Sequence, residues 1–263
     1  MKAMQHPHVH EDEVEFEVRE GVAVITLNRP GVHNALNDAM RAALTHCFEE
    51  VRRRDEVRAV LLRGRGKSFC SGRDTKGFVD PAHGASHSAL IATAQQVRRR
   101  QLGCGKPMVC AIQGHAIGAG AELALGCDMR IAARDMKFSL PEVPFGLVAD
   151  TGSSTLLTAL VGPARAKWIL LSGLPVAADE ALQWGLVEWA VEPEALEQKS
   201  MEIAATLASR PVGSVRRQKQ LIDVQFEQAV ETGLVREMAA QLALFDSGEY
   251  EEAKKLREQK AAH

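Results

Sequence analysis

Glu122 and Glu142 stand twenty positions apart in this 263-residue chain, and Asp150 follows Glu142 by eight. Carboxyl groups are among the side chains that move protons to and from carbon and water. If the fold brings two of them together, both cannot ionise cheaply. Their titration is then coupled, one pKa is raised, and a protonated acid becomes available near neutral pH. Residue type alone also allows a plainer reading, in which Glu122 caps a helix start, Glu142 is a surface carboxylate after Pro141, and Asp150 is the N-cap of a helix from Ser153. Two nucleotide-binding patterns fail. Gly66-Lys67-Ser68 resembles the end of a phosphate loop, but Leu61 stands where that loop needs glycine. Gly118-Ala119-Gly120 resembles a dinucleotide turn, but Leu123 stands where a small residue is needed.

The elements that must position these residues follow from hydrophobic spacing. Val14, Phe16 and Val18 alternate with Glu15 and Glu17, and Glu20-Gly21 turns the chain into Val22 to Leu27, which predicts a hairpin. Asn37 or Asp38 caps a helix whose apolar positions Met40, Ala43, Leu44, Cys47, Phe48 and Val51 repeat by three and four. Val57 to Leu62, Met108 to Ile112 and Asp128 to Ala133 read as strands, the second of them apolar throughout like a strand buried on both faces. Helices are expected over Ser153 to Leu160, Ala164 to Leu171 and Ala178 to Trp184. From Glu194 the pattern is wholly helical. Pro211 and Gly213 break a helix ending near Arg210, and two further helices follow around Ser214 to Val224 and Phe226 to Leu244. These last two carry more apolar side chains than a lone excursion buries, which points to a partner subunit. Pro81 to Ser88, small and polar, is expected to be a mobile loop.

Composition narrows the setting. With 46% hydrophobic and 25% charged residues the chain can build one full core plus a smaller appended unit. Thirty-two Lys and Arg against 34 Asp and Glu leave a net charge of -2 and no global field to gather nucleic acid or a membrane surface. Five cysteines without a CxxC pair read as reduced, buried thiols. No apolar run approaches membrane-helix length and no secretory signal opens the chain, so a cytoplasmic protein is expected. His6, His8 and His10 alternate in a polar stretch over residues 1–12, read as a disordered tail rather than a metal site.

A set of segments in fixed order is far more specific than any of these features. Val24-Ile25-Thr26-Leu27-Asn28-Arg29-Pro30 and Asn34-Ala35-Leu36 are followed by Ser68-Phe69-Cys70-Ser71-Gly72-Arg73-Asp74. Next come Gly114-His115-Ala116-Ile117-Gly118-Ala119-Gly120-Ala121-Glu122-Leu123 and Pro141-Glu142. From about Val14 to about Ser247 the series resembles the crotonase (enoyl-CoA hydratase/isomerase) family. The resemblance implies an α/β fold: a crotonase-like spiral of ββα turns over residues 13–193, followed by a helical oligomerisation region over 194–263 that builds a trimer or a dimer of trimers. It implies an acyl-CoA thioester as substrate, with coenzyme A part of that substrate and no separate cofactor or metal. The family's oxyanion hole, two backbone N–H groups that bind the thioester oxygen as it becomes an enolate, matches Arg73 and Ala119. Ser71, Gly72, Asp74, Gly118 and Gly120 fall at substrate-binding positions, and the three glycines let the backbone aim its N–H groups at a ligand.

By the same resemblance Glu122 and Glu142 match the two glutamates with which family hydratases add water to a 2-enoyl thioester. Glu122 would deprotonate the water, and Glu142 would exchange the Cα proton. Asp150 keeps a second reaction open. Glu142 and Asp150 also match the Glu and Asp of family isomerases, where hydratases usually carry a small residue at the Asp150 position. A non-catalytic acyl-CoA-binding scaffold and thioester hydrolysis are the remaining alternatives. The Arg73 side chain, Lys67 and Lys76 are candidates for phosphate contacts, and Glu252 to Leu256 departs from the family's closing pattern.

Overall fold

The structure is a computed structural model that describes residues 13–74 and 86–261. The N-terminal stretch read as a tail and Pro81 to Ala85 of the expected loop lie outside the described residues. In chain order the elements are β1 (Val14–Arg19), β2 (Val22–Leu27), α1 (Asp38–Arg53), β3 (Ala59–Gly64), α2 (His87–Leu102), β4 (Met108–Ile112), β5 (His115–Ile117) and α3 (Ala119–Leu125). They continue with β6 (Met129–Ala133), β7 (Lys137–Ser139), α4 (Ser153–Ser172), β8 (Val176–Ala177), α5 (Ala178–Trp184), β9 (Trp189–Val191), α6 (Leu196–Ala208), α7 (Val212–Ser247) and α8 (Glu249–Ala261).

The opening hairpin forms as its alternation requires. Val14 pairs with Leu27 and Arg19 with Val22, and Glu20 and Gly21 both take positive φ, 49° and 83°, the backbone of a primed two-residue turn. The larger sheet then grows by parallel pairing in the order β1-β2-β3-β4-β6-β9, and a smaller sheet runs β5-β7-β8. Strand residues of the large sheet alternate between two apolar layers. Ile25, Val60, Leu62, Cys110 and Ile112 join α1, α3 and α4 in the main core, while Val24, Leu61, Val109 and Ile131 pack against Leu196, Ala204 and Ala208 of α6. Both faces are covered, which is why β2 and β4 are apolar at almost every position.

The helices depart from expectation in three places. His87 and Ser88, placed in the loop, open α2, with the Ser86 side chain accepting from the Ala89 N–H as its cap. The stretches over Ser153 to Leu160 and Ala164 to Leu171 join into α4, bent at Gly162 (φ 77°) and Pro163. The two helices expected after Ser214 are one, α7, of 36 residues. Gln225 at the expected gap is a good helix former, so nothing stops the helix there. The break near Arg210 stands, with Pro211 as the N-cap of α7. Among the described residues no helix is long and apolar enough to cross a membrane.

Candidate active site

An isolated pairing places the site. Cys70 bridges Ala116 in parallel, with its N–H donating to the His115 carbonyl at 2.9 Å and its carbonyl accepting from the Ile117 N–H at 3.0 Å. Two residues on, each segment reaches a cavity of about 500 Å³ with Gly72-Arg73 on one side and Gly118-Ala119 on the other. The crossing has no room for side chains. Gly72 lies at φ 95°, and a Cβ there would sit 2.6 Å from the Ile117 carbonyl and 3.5 Å from the Ala119 nitrogen. Gly120 does not line the cavity, but its bare Cα lets α3 approach the Cys70 carbonyl, which a Cβ would meet at 2.3 Å. Ala119 is the first residue of α3, where backbone N–H groups have no intrahelical acceptor and the helix carries its positive end.

The three acids converge on this cavity. Glu122, on the first turn of α3, is 4% exposed, and its Oε1 accepts from the Thr151 N–H and the Ser153 hydroxyl, each at 3.0 Å. Its backbone carbonyl accepts from the buried Arg98 guanidinium of α2. Glu142 lies across from Gly118, where an added Cβ would stand 3.0 Å from Glu142 Oε1. Glu142 Oε2 is buried and has no hydrogen-bond partner among the described residues, a state that costs about 1–3 kcal/mol. Burial, with the Glu122 carboxylate adding repulsion, pushes the Glu142 pKa up to about 8. Asp150 is 8% exposed, and burial followed by Glu122 raises its pKa to about 7, against the opposing charges of Arg73 and Arg41. Asp150 is not the cap of α4. The N-cap is Gly152, and the helix start is held by the carboxylates of Glu122 and of Glu237 on α7.

Of the other residues singled out in the sequence, Ser71 and Arg73 line the cavity. Burial lowers the Arg73 pKa to about 10. Asp74 stands outside the lining and bonds to Arg29 Nη1 at 3.0 Å. Several residues that the sequence reading passed over also form the site. Ala94, Val97 and Arg98 of α2, Gln241 of α7, and Tyr250 and Arg257 of α8 line it, and Lys254 joins them from the stretch that departs from the family's closing pattern. Arg98 stood at the head of Arg98-Arg99-Arg100, a run that looks solvated. Its position three residues after Gln95 and three before Gln101 is the only trace of one polar buried face.

Comparison with known proteins agrees with this arrangement. The family model described as Enoyl-CoA hydratase/isomerase matches residues 17–261. A 1,2-epoxyphenylacetyl-CoA isomerase of Escherichia coli is 37% identical over 238 residues, 89% of this chain and 91% of that protein. A short-chain-enoyl-CoA hydratase of Clostridium acetobutylicum is 36% identical over 224 residues, 84% of this chain and 85% of that protein. The crystal structure of an enoyl-CoA hydratase/isomerase from Pseudoalteromonas atlantica superposes with a TM-score of 0.87 at 33% identity, covering 94% of this chain and 97% of that one. The spiral of strands, the helical C-terminal region and the ordered motifs therefore have one origin: this chain belongs to the enoyl-CoA hydratase/isomerase family, the crotonases.

Proposed function

We propose that the protein is an enoyl-CoA hydratase that adds water to a trans-2-enoyl-CoA. The observation that carries this reading is the meeting of Glu122 and Glu142 in one cavity in unlike surroundings. Glu122 is held by two donors, whereas Glu142 is buried with an oxygen unpartnered among the described residues and a pKa pushed up to about 8. Glu122 orients a water and takes its proton as the oxygen attacks Cβ. The thioester carbonyl becomes an enolate held by the N–H groups of Arg73 and Ala119, and protonated Glu142 delivers a proton to Cα. Coenzyme A enters as part of the substrate and no further cofactor takes part. The exposed apolar residues Leu221, Ile222, Val224 and Val235 of α7 support assembly into a trimer or a dimer of trimers.

Purified protein mixed with a short trans-2-enoyl-CoA should remove the ultraviolet absorbance of the conjugated thioester, and mass spectrometry should show the gain of one water. An unchanged substrate overturns the reading. Because Glu142 acts in its protonated form, kcat/KM for hydration should fall as pH rises through about 8. A rate still rising at pH 10 would remove Glu142 from the donor role.

Isomerisation is the second reading, favoured by the buried position of Asp150 on the cavity wall and its pKa near 7. In that reaction a carboxylate takes a proton from one carbon of the acyl chain and returns it to another. Asp150→Asn separates the two. On the hydratase reading the variant hydrates 2-enoyl-CoA within about tenfold of wild type, because it loses neither proton-transfer group. A 3-enoyl-CoA substrate whose double bond migrates in wild type but not in Asp150→Asn would favour the isomerase.

A further inference from the structure

We propose that Glu237 of α7 is a positioning residue for Glu122, fixing the turn whose donors hold the Glu122 carboxylate. This rests on the acid–base role assigned to Glu122 above.

The start of α4 has no cap from its own sequence. Gly152 sits at φ 92° and offers no side chain, so the first-turn donors must find acceptors elsewhere. They divide between two carboxylates in strict alternation. The Thr151 N–H and the Ser153 hydroxyl donate to Glu122 Oε1 at 3.0 Å each. The Gly152 N–H donates to Glu237 Oε2 at 2.6 Å, and the Ser154 N–H and hydroxyl donate to Glu237 Oε1 at 2.9 and 2.5 Å. The two glutamates thus grip interleaved donors of one four-residue turn. Thr151 and Ser153 cannot swing away from Glu122 without dragging Gly152 and Ser154 off Glu237.

Glu237 is 6% exposed, and burial raises its pKa while the Ser154 and Gly152 donors oppose that rise. Those donors and the positive end of the helix favour the charged form that burial disfavours. A second tie runs beside it. Gln95 Nε2 donates to the Asp150 carbonyl at 2.9 Å and to the Leu234 carbonyl of α7 at 2.8 Å, so the backbone that carries Asp150 is also fastened to α7. Glu237 is not among the residues lining the cavity, so it reaches the site only through the turn it holds.

The test is Glu237→Gln, which keeps the side-chain shape but turns an NH2 group toward an N–H donor. Three measurements are made on the full chain: steady-state hydration of a short trans-2-enoyl-CoA, binding of unreactive butyryl-CoA by calorimetry, and amide hydrogen exchange by mass spectrometry. We expect kcat to fall by about 10²-fold, the scale of a misplaced catalytic group. KM and the butyryl-CoA Kd should stay within about twofold, since no ligand contact is lost. Peptides covering Thr151 to Ser154 should exchange about tenfold faster while those of β2 to β4 stay protected. Ser154→Ala, which removes one of the three donors and nothing else, should show a smaller loss with the same split between kcat and KM. Wild-type kcat in folded Glu237→Gln overturns the proposal. So does loss of butyryl-CoA binding with faster exchange throughout the sheet in both variants, because that marks general damage. If the wild-type protein hydrates no enoyl thioester, the reaction assigned above fails, and unchanged exchange at Thr151 to Ser154 in Glu237→Gln then overturns the hold on the turn independently.

Discussion

Glu142→Gln should lower kcat for hydration by about 10²–10⁴-fold, the usual worth of a positioned general acid, and should at the same time make the protein more stable. The loss follows because an amide of the same shape has no proton to deliver to Cα. The gain follows from linkage. The folded-state pKa of Glu142 lies near 8, above its ordinary value of 4.5, so between those values the folded protein binds more protons than the unfolded chain. Its contribution to stability is fully present at low pH and is lost as pH rises through about 8. Gln does not titrate. The melting temperature of Glu142→Gln should therefore exceed that of wild type by a margin that is small at pH 4 and widens toward pH 9. Glu122→Gln should match the loss of rate. It should not match the gain in stability, because an amide oxygen is a weaker acceptor than the carboxylate oxygen that takes the Thr151 and Ser153 donors. A Glu142→Gln variant that hydrates as fast as wild type would remove the residue from the reaction.

Ala119→Pro is expected to reduce kcat by about 10²–10³-fold, the cost of one oxyanion donor, with little change in fold. Proline in a helix interior costs about 3 kcal/mol, but at the first helical position its missing N–H is one the helix does not use. Ala119 occupies that position in α3. The substitution therefore deletes the proposed donor and spares the helix. The measurements are kcat and KM on the same enoyl thioester together with a thermal melt. Full activity in a normally folded Ala119→Pro would mean that the enolate oxygen is bound elsewhere.

Much of the fold was legible because its hydrophobic spacing is uninterrupted. Met108 to Ile112 is buried at every position and reads directly as a two-face strand. α1 combines a repeat by three and four with a cap at Asn37, whose side chain accepts from the Met40 N–H at 2.8 Å. α2 was not legible, because polar Gln95, Arg98 and Gln101 share its buried face with Ile91 and Val97 and erase the repeat. β5, β7, β8 and β9 have only two or three residues, too few for any alternation to show. In the site, the acids and glycines were visible through the order of their segments. Their partners were not. Glu122 finds its donors 29 and 31 positions away and Glu237 finds its own 83 and 85 away, and no local pattern marks a carboxylate that caps a distant helix.

That distance has a consequence during synthesis. Gly152 leaves the ribosome 85 residues before Glu237, an interval of roughly 4–17 s at the usual pace of translation. Through that interval the growing chain already holds Glu122, Glu142 and Asp150, yet the turn beneath Glu122 waits for α7 to arrive. On the role proposed for Glu237, the turn that seats Glu122 is completed only once α7 has been made, and a chain that stops before Val212 holds all three acids without the contact that fastens that turn.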